Sequence, residues 1–298
     1  MIRHRAPCGA RSRRAPLSFG LALAAALAAA ACGAAPRAAT GAPAAPSDSL
    51  PDGRAVMERM TDAMYYPGRD VVSDVRMEIV ERSGLVRLRV MTMMRLNLEK
   101  GEQRYLVYFH EPGDVRRMTC MVYKHPAGRD DRWMFVPAVE EIRRVTAPER
   151  SKFLGSDFVR EDYSGRDAAA DSHRVVRGEV RDGRSCWVVE STPIEEAEYT
   201  RLVSWIDRKT WLPIRQEYYD ARGRLMRTFT ADSIATILDP EGHGHPTIVA
   251  KTMAGRTPPI KTRMIYTDVR YDVGLKESDF SDDHLRVSMD SWYRPPRR

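Results

Sequence analysis

The residues of this chain that could do chemistry are few. His243 and His245, in Gly242-His243-Gly244-His245, could place two imidazoles on one metal ion. No third ligand stands near them in the sequence, and histidines in a Gly/Pro-rich loop read more simply as a solvated turn. Glu195, Glu196 and Glu198 could pair as acid and base, but a short charge run between strands reads as a solvated loop. His110, His125, His173 and His284 are scattered, with no partner in view. The chain carries no Gly-rich phosphate loop, no Gly-x-Ser-x-Gly elbow and no His-Glu-x-x-His. The reading from these residues is that the protein is not an enzyme and holds neither cofactor nor metal.

The unusual chemistry is soft and apolar. Methionine occurs 15 times, concentrated at 57–64, 91–94 and 118–121. Its flexible thioether adapts to variable apolar partners. Core packing is the better account of any single methionine. Yet Met91-Thr92-Met93-Met94 is apolar on both parities of a strand, and in a protein of one sheet such a strand needs cover on both sides. A concave side would line a cavity. Burial in it would stabilise an acyl chain by about 0.8 kcal/mol per methylene.

The elements that must position these residues are mostly strands. Residues 51–64 read as one amphipathic helix, with Asp52 as N-cap and Val56, Met57, Met60 and Met64 on one face. Period-two segments follow at short spacing. Val75, Met77 and Ile79 alternate with charged residues, as do Val86, Leu88 and Val90. Asp182-Gly183 and Arg208-Lys209-Thr210 turn two later hairpins. The expectation is mainly β: one curved antiparallel sheet of roughly eleven strands, forming a half-open barrel, with no domain break inside 51–290.

In the middle stands the stretch 131–163. Trp133-Met134-Phe135-Val136 is an apolar strand stopped by Pro137, and Val139–Val145 is a second strand. Ser151-Lys152-Phe153-Leu154-Gly155-Ser156-Asp157 is too polar for a core helix and too apolar for a plain loop. It reads either as a flap over something apolar or as a surface loop with one anchoring aromatic.

The 298 residues carry a formal charge of +7, which suggests nucleic acid. Setting aside the five arginines of residues 1–31 leaves 43 basic against 41 acidic side chains, so no basic face is implied. Residues 1–31 read as an export signal, a basic start followed by the apolar run Leu17–Ala31. Ala29-Ala30-Ala31-Cys32-Gly33 resembles a lipobox. Cys32 is either lipidated or removed from the story by cleavage at an Ala-x-Ala site, and the two outcomes are a tethered protein and a diffusing one. Residues 32–50 read as an Ala/Pro-rich disordered linker and 51–298 as the folded domain. Cys120 and Cys186 would meet an oxidising compartment, either paired or as two buried thiols.

Two sets of residues resemble a known family. The first is Asp131-Arg132-Trp133-Met134-Phe135-Val136-Pro137-Ala138, Ile142-Arg143-Arg144-Val145, Phe153-Leu154-Gly155-Ser156-Asp157-Phe158 and Glu161-Asp162. In order and spacing it resembles the bacterial LolA-like outer membrane lipoprotein-sorting proteins. The second, Trp205-Ile206-Asp207-Arg208-Lys209-Thr210-Trp211-Leu212-Pro213, is similar to the W-x-D-x-x-T-x-L-P hairpin of LolA, LolB and the RseB-type regulators. The resemblance covers about residues 55–285. It implies a half-open β-barrel with a helical lid, and a non-catalytic periplasmic carrier or acceptor of lipoprotein acyl chains or lipids. It also implies an inner-membrane RND-type or ABC transporter as partner, no nucleic acid, and a monomer. The alternative is an accessory or sensor module for such a transporter or for an envelope-stress system. A lipidated Cys32 would make the protein an anchored receiver at the outer membrane.

On this reading Met91, Met93, Trp133 and Phe135, or Met134 on the opposite parity, face the cavity, and Phe153 and Leu154 close it. Arg143 and Arg144 hold a head group or the lid. The plainer alternative pairs them with Glu140 and Glu141 on a solvated strand edge.

Overall fold

Thirteen β-strands follow one helix, each hydrogen-bonded antiparallel to its neighbours in one open sheet. The computed structural model describes residues 50–126, 128–146, 152–153, 155–159, 161–256 and 261–293. They lie in one compact unit, Asp48–Arg298. Helix α1 spans Gly53–Tyr65 and starts where expected, with the Asp52 carboxylate accepting the Ala55 N–H at 2.9 Å.

Strands β1 (Asp70–Val80), β2 (Val86–Asn97), β3 (Gln103–Glu111), β4 (Thr119–Lys124), β5 (Asp131–Val136) and β6 (Glu141–Arg144) form a six-stranded meander. Strands β7 (Asp171–Arg181), β8 (Arg184–Pro193), β9 (Arg201–Asp207), β10 (Pro213–Tyr219), β11 (Leu225–Leu238), β12 (Gly244–Gly255) and β13 (Lys261–Tyr271) form a second. The β1–β13 ladder joins them, in a register that places Met77 opposite Met264. The count exceeds the expected eleven by two. The short β5 and β6 flank the flap, where the sequence placed two strands.

This order leaves β6 and β7 as the two outer edges of the sheet. They are also consecutive in the chain. The segment between them must therefore pass from one edge to the other, and it does so across the inner face. That segment carries the flap and the short helix α2 (Glu161–Ser164).

Strand pleating divides the side chains into two layers. Inward parity supplies Val75, Met77 and Ile79 of β1, Met91 of β2, Val107 and Phe109 of β3 and Met253 of β12 to one large cluster. Outward parity supplies Met94, Leu96, Leu106, Tyr108 and Met121 to a second. The double-faced β2 is thus covered twice, as its sequence requires. On the outer side the cover is the C-terminal turns, where Phe280, Leu285 of α3 (Asp282–Arg286) and Met289 pack on the strands. On the inner side it is α1 and the flap. Val56, Met57 and Met60 of α1 pack on Val175, Val189 and Ile206 of β7, β8 and β9.

The hairpin joining β9 to β10 holds itself and the lid. Asp207 is buried and accepts hydrogen bonds from Thr210 Oγ1 and Arg184 Nη1, both at 2.8 Å. Trp211, in the left-handed region at φ 60°, packs beside α1, and the Arg59 guanidinium lies 4.7 Å from its ring. Leu212 is buried in the inner cluster. Asp207, Thr210 and Trp211 are therefore structural: they lock the turn and dock the helix.

Candidate functional site

Between the inner face and α1 lies a cavity of about 120 Å³. Met93, Arg95, Ile248, Lys251, Tyr266 and Tyr271 line its strand side, and Ala63, Met64 and Tyr65 of α1 line the other. The strand ladders explain the grouping. Arg95 faces Val71 on β1 and Tyr105 on β3, so all three share the inward parity with Met93. The wall is therefore methionine, aliphatic side chains and tyrosine rings.

Its polar groups are positive or neutral. Burial pushes the Tyr65 phenol well above its ordinary value, and the Tyr105 and Tyr271 phenols upward too. All three stay uncharged at neutral pH. Arg95 and Lys251 are buried cations at the wall. Among the described residues no Asp or Glu lines this cavity.

The cavity is small. An apolar space of ~150 Å³ admits a single benzene, so about 120 Å³ takes only a short stretch of alkyl chain as it stands. The flap is a tight plug, with the Phe153 N–H donating to the Phe158 carbonyl at 2.8 Å and the Ser156 N–H to the Phe153 carbonyl at 2.9 Å. Phe153 and Phe158 insert into the inner cluster, where the Phe153 ring meets Tyr163 at 5.0 Å and Phe109 at 6.4 Å. Two aromatic side chains of the flap thus fill the inner face next to the cavity.

Polar contacts pin the flap. The Asp157 N–H donates to Thr262 Oγ1 on β13 at 3.0 Å. Asp157 is buried with one carboxylate oxygen unpartnered, and its other oxygen lies 3.8 Å from Lys152 Nζ. Desolvation is the main cause that pushes its carboxyl from 3.8 up to about 6. Beyond the flap, the Arg227 guanidinium of β11 and the Asp162 carboxylate of α2 form a buried ion pair. Lys124 of β4 donates to the Ser164 and Gly165 carbonyls.

The comparisons with known proteins fit this geometry. A family model described as uncharacterized protein-like matches residues 101–287, more than half of the chain. A crystal structure of a DUF1329 family protein from Desulfovibrio piger is 26% identical, with a TM-score of 0.71 over 78% of this chain and 97% of that one. An outer membrane lipoprotein-sorting protein domain from Vibrio parahaemolyticus is 24% identical, with a TM-score of 0.69 over 79% and 98%. A LolA superfamily protein from Nitrosomonas europaea is 20% identical, with a TM-score of 0.59 over 78% and 99%. The chain belongs to the family of the model that matches residues 101–287, and its fold is LolA-like. No curated protein matches the sequence. The resemblance read from residues 131–163 and 205–213 is therefore correct at the level of the fold.

The LolA-like frame brings some of the expected site residues together and separates others. Met91 is fully buried in the inner cluster, Met93 lines the cavity and Phe153 plugs the inner face. Trp133 and Phe135 do not face the cavity. They belong to the outer cluster beneath the C-terminal turns, with Trp133 edge-on to Tyr123 at 4.9 Å. Met134, the opposite parity, is the residue that packs inward, in register with Cys120 and Val107. Arg143 and Arg144 lie exposed on the edge strand β6, paired with Glu141 at 3.0 Å and with Asp131. The plainer reading of that pair thus describes their contacts, with Asp131 in place of Glu140. Leu154 and Cys32 lie outside the described residues, as do the signal segment and all of the linker but Leu50. No disulfide joins Cys120 on β4 to Cys186 on β8. Among the described residues no helix is long and apolar enough to cross a membrane.

Sequence reading missed Lys251, Arg95 and the tyrosines of the wall. A signal was present: Arg95 continues the inward parity of Met91 and Met93, and Lys251 shares that of Met253. A cation in phase with an apolar stripe marks a charge directed at the interior. The histidine loop also gains a partner the sequence hides. Asp239, His245 and Asp272 bring ligand atoms within 4.8 Å of one another. Asp239 Oδ1 accepts the Glu241 and His243 N–H groups, both at 2.9 Å, which shapes the turn, and Oδ2 lies 3.1 Å from His245 Nε2. A cleft of about 1140 Å³ is lined by charges of both signs, including Arg129, Asp130, Arg166 and Glu195. That lining suits water better than a chain.

Proposed function

We propose that this protein is a non-catalytic carrier or acceptor. It takes acyl chains of lipoproteins or lipids against the inner face of its sheet and moves them toward the outer membrane. The observation that carries the reading is the apolar inner face, covered by α1 and by a flap whose Phe153 and Phe158 pack into the inner cluster beside the cavity. Cargo entry exchanges one set of apolar contacts for another, so the exchange is close to neutral and readily reversed. A carrier needs that balance, since it must release what it binds. The LolA-like fold supports this role. The site of action is the periplasm, with tethering if Cys32 is lipidated, and the delivering partner is an inner-membrane transporter. Purification from a membrane-containing host followed by native mass spectrometry tests the reading. Bound lipid, or uptake of an acyl probe by the stripped protein, is the expected result. A ligand-free protein that takes up no acyl probe would sink it.

A further inference from the structure

Lys251 is 6% exposed, yet its ammonium makes no hydrogen bond or ion pair with any described residue. Two rings stand near it, Tyr266 at 5.3 Å and Phe158 at 5.4 Å. Arg95, 8% exposed, donates to the Pro67 carbonyl and leaves its Nε unpartnered. Other cations of the inner side are neutralised: buried Arg227 by Asp162, and half-buried Arg166 by Glu161 and Asp171 at 3.1 and 3.0 Å. A buried charge without a counter-ion is unfavourable unless something supplies one. Here the missing partner is an anion, and the walls around it are apolar.

We propose that the cavity takes an amphiphile with one acyl chain and an anionic head, and that Lys251 receives the head. The proposal rests on the carrier reading above and names its ligand class. The wall separates the two functions of such a molecule. Lys251 and Arg95 supply positive charge, while Met64, Met93 and Ile248 offer soft apolar contact to the chain. The Tyr266 and Phe158 rings hold the ammonium in place while the cavity is unoccupied by anion, through cation–π attraction. Phe158 belongs to the flap, so the flap senses whether the head is bound.

Calorimetric titration of the delipidated full chain tests this with five probes: dodecanoate, dodecyl phosphate, dodecanol, dodecyltrimethylammonium and acetate. An anionic dodecyl probe is expected to bind at least about tenfold more tightly than dodecanol, with the ammonium probe no better than the alcohol. The two anionic probes tell a carboxylate head from a phosphate one. Lys251→Met, which keeps the side-chain volume and removes the charge, is expected to bring the anionic probes down to the dodecanol level. Equal binding of dodecanoate, dodecyl phosphate and dodecanol by the wild type would overturn the proposal and leave the carrier reading standing. Acetate binding as tight as dodecanoate would also overturn it, since that marks an anion site without a chain. A Lys251→Met protein that still prefers the anion would remove Lys251 from the role. Failure of every dodecyl probe would overturn the carrier reading as well. Should Lys251→Met not fold, the wild-type ratio of anion to alcohol decides alone.

Discussion

Asp157 ties flap docking to pH, and replacing it with Asn is the most quantitative test of the flap. Its carboxyl moves from 3.8 to about 6 when the flap is docked, mainly because docking strips its water. That difference corresponds to about 3 kcal/mol of preference for the protonated form. The sign follows from proton binding. Between about pH 4 and pH 6 the docked flap holds more protons than an undocked one, so docking weakens as pH rises. The contribution is fully present below 3.8, is lost through about 6, and is constant above that. Flap opening should therefore rise up to ~150-fold across the window. Lys152, half exposed at 3.8 Å, offsets little of this. Asp157→Asn removes the titration, so its flap should be equally protected at both ends of the window and more tightly closed than the wild type at pH 7. Hydrogen exchange over residues 152–165, compared between variant and wild type at each pH, reads the effect without interference from intrinsic rates. Equal protection of the two proteins at pH 7, or a variant that retains the wild-type pH slope, would refute the assignment.

Four further outcomes follow from the same geometry. Met93→Trp should fill the cavity and abolish uptake of an alkyl probe with little change in the thermal midpoint, measured by titration and calorimetry side by side. Phe135→Ala should do the reverse, lowering the unfolding free energy by ~3–5 kcal/mol in denaturant while the folded protein binds the probe as before. Arg227→Met strands the buried Asp162 carboxylate and should lower stability by ~3–5 kcal/mol; a loss below about 1 kcal/mol would mean that the pair is not buried in solution. In Gly53→Ala the new Cβ would stand 2.5 Å from the His173 carbonyl oxygen and 2.7 Å from the Arg174 nitrogen. Backbone cannot yield as a side chain can, so the start of α1 must shift, with faster exchange across residues 53–65 and faster probe entry.

The sequence by itself determined the class of fold, the N-capped helix and nearly every strand. Period-two alternation, Asp-Gly and Gly-rich turns and the Asp52 cap are local signals, and local backbone physics is enough to read them. It also determined that Met91–Met94 needs cover on both faces. What it could not decide was which cover lies on which face. The parity of β5 depends on its register with β4, and only the ladder of Met134 with Cys120 sets that. Trp133 and Phe135 therefore fall to the outer side, although they are the most conspicuous apolar residues of the central stretch. The course of the flap was decided by topology, because β6 and β7 lie at opposite edges and the chain between them must cross the inner face. The charge of the cavity was decided by tertiary structure too. Lys251 and Arg95 are ordinary cations in the sequence, on strands far apart in the chain. They share a cavity because the β1–β13 ladder joins the first strand to the last and curls their inward faces around one apolar space.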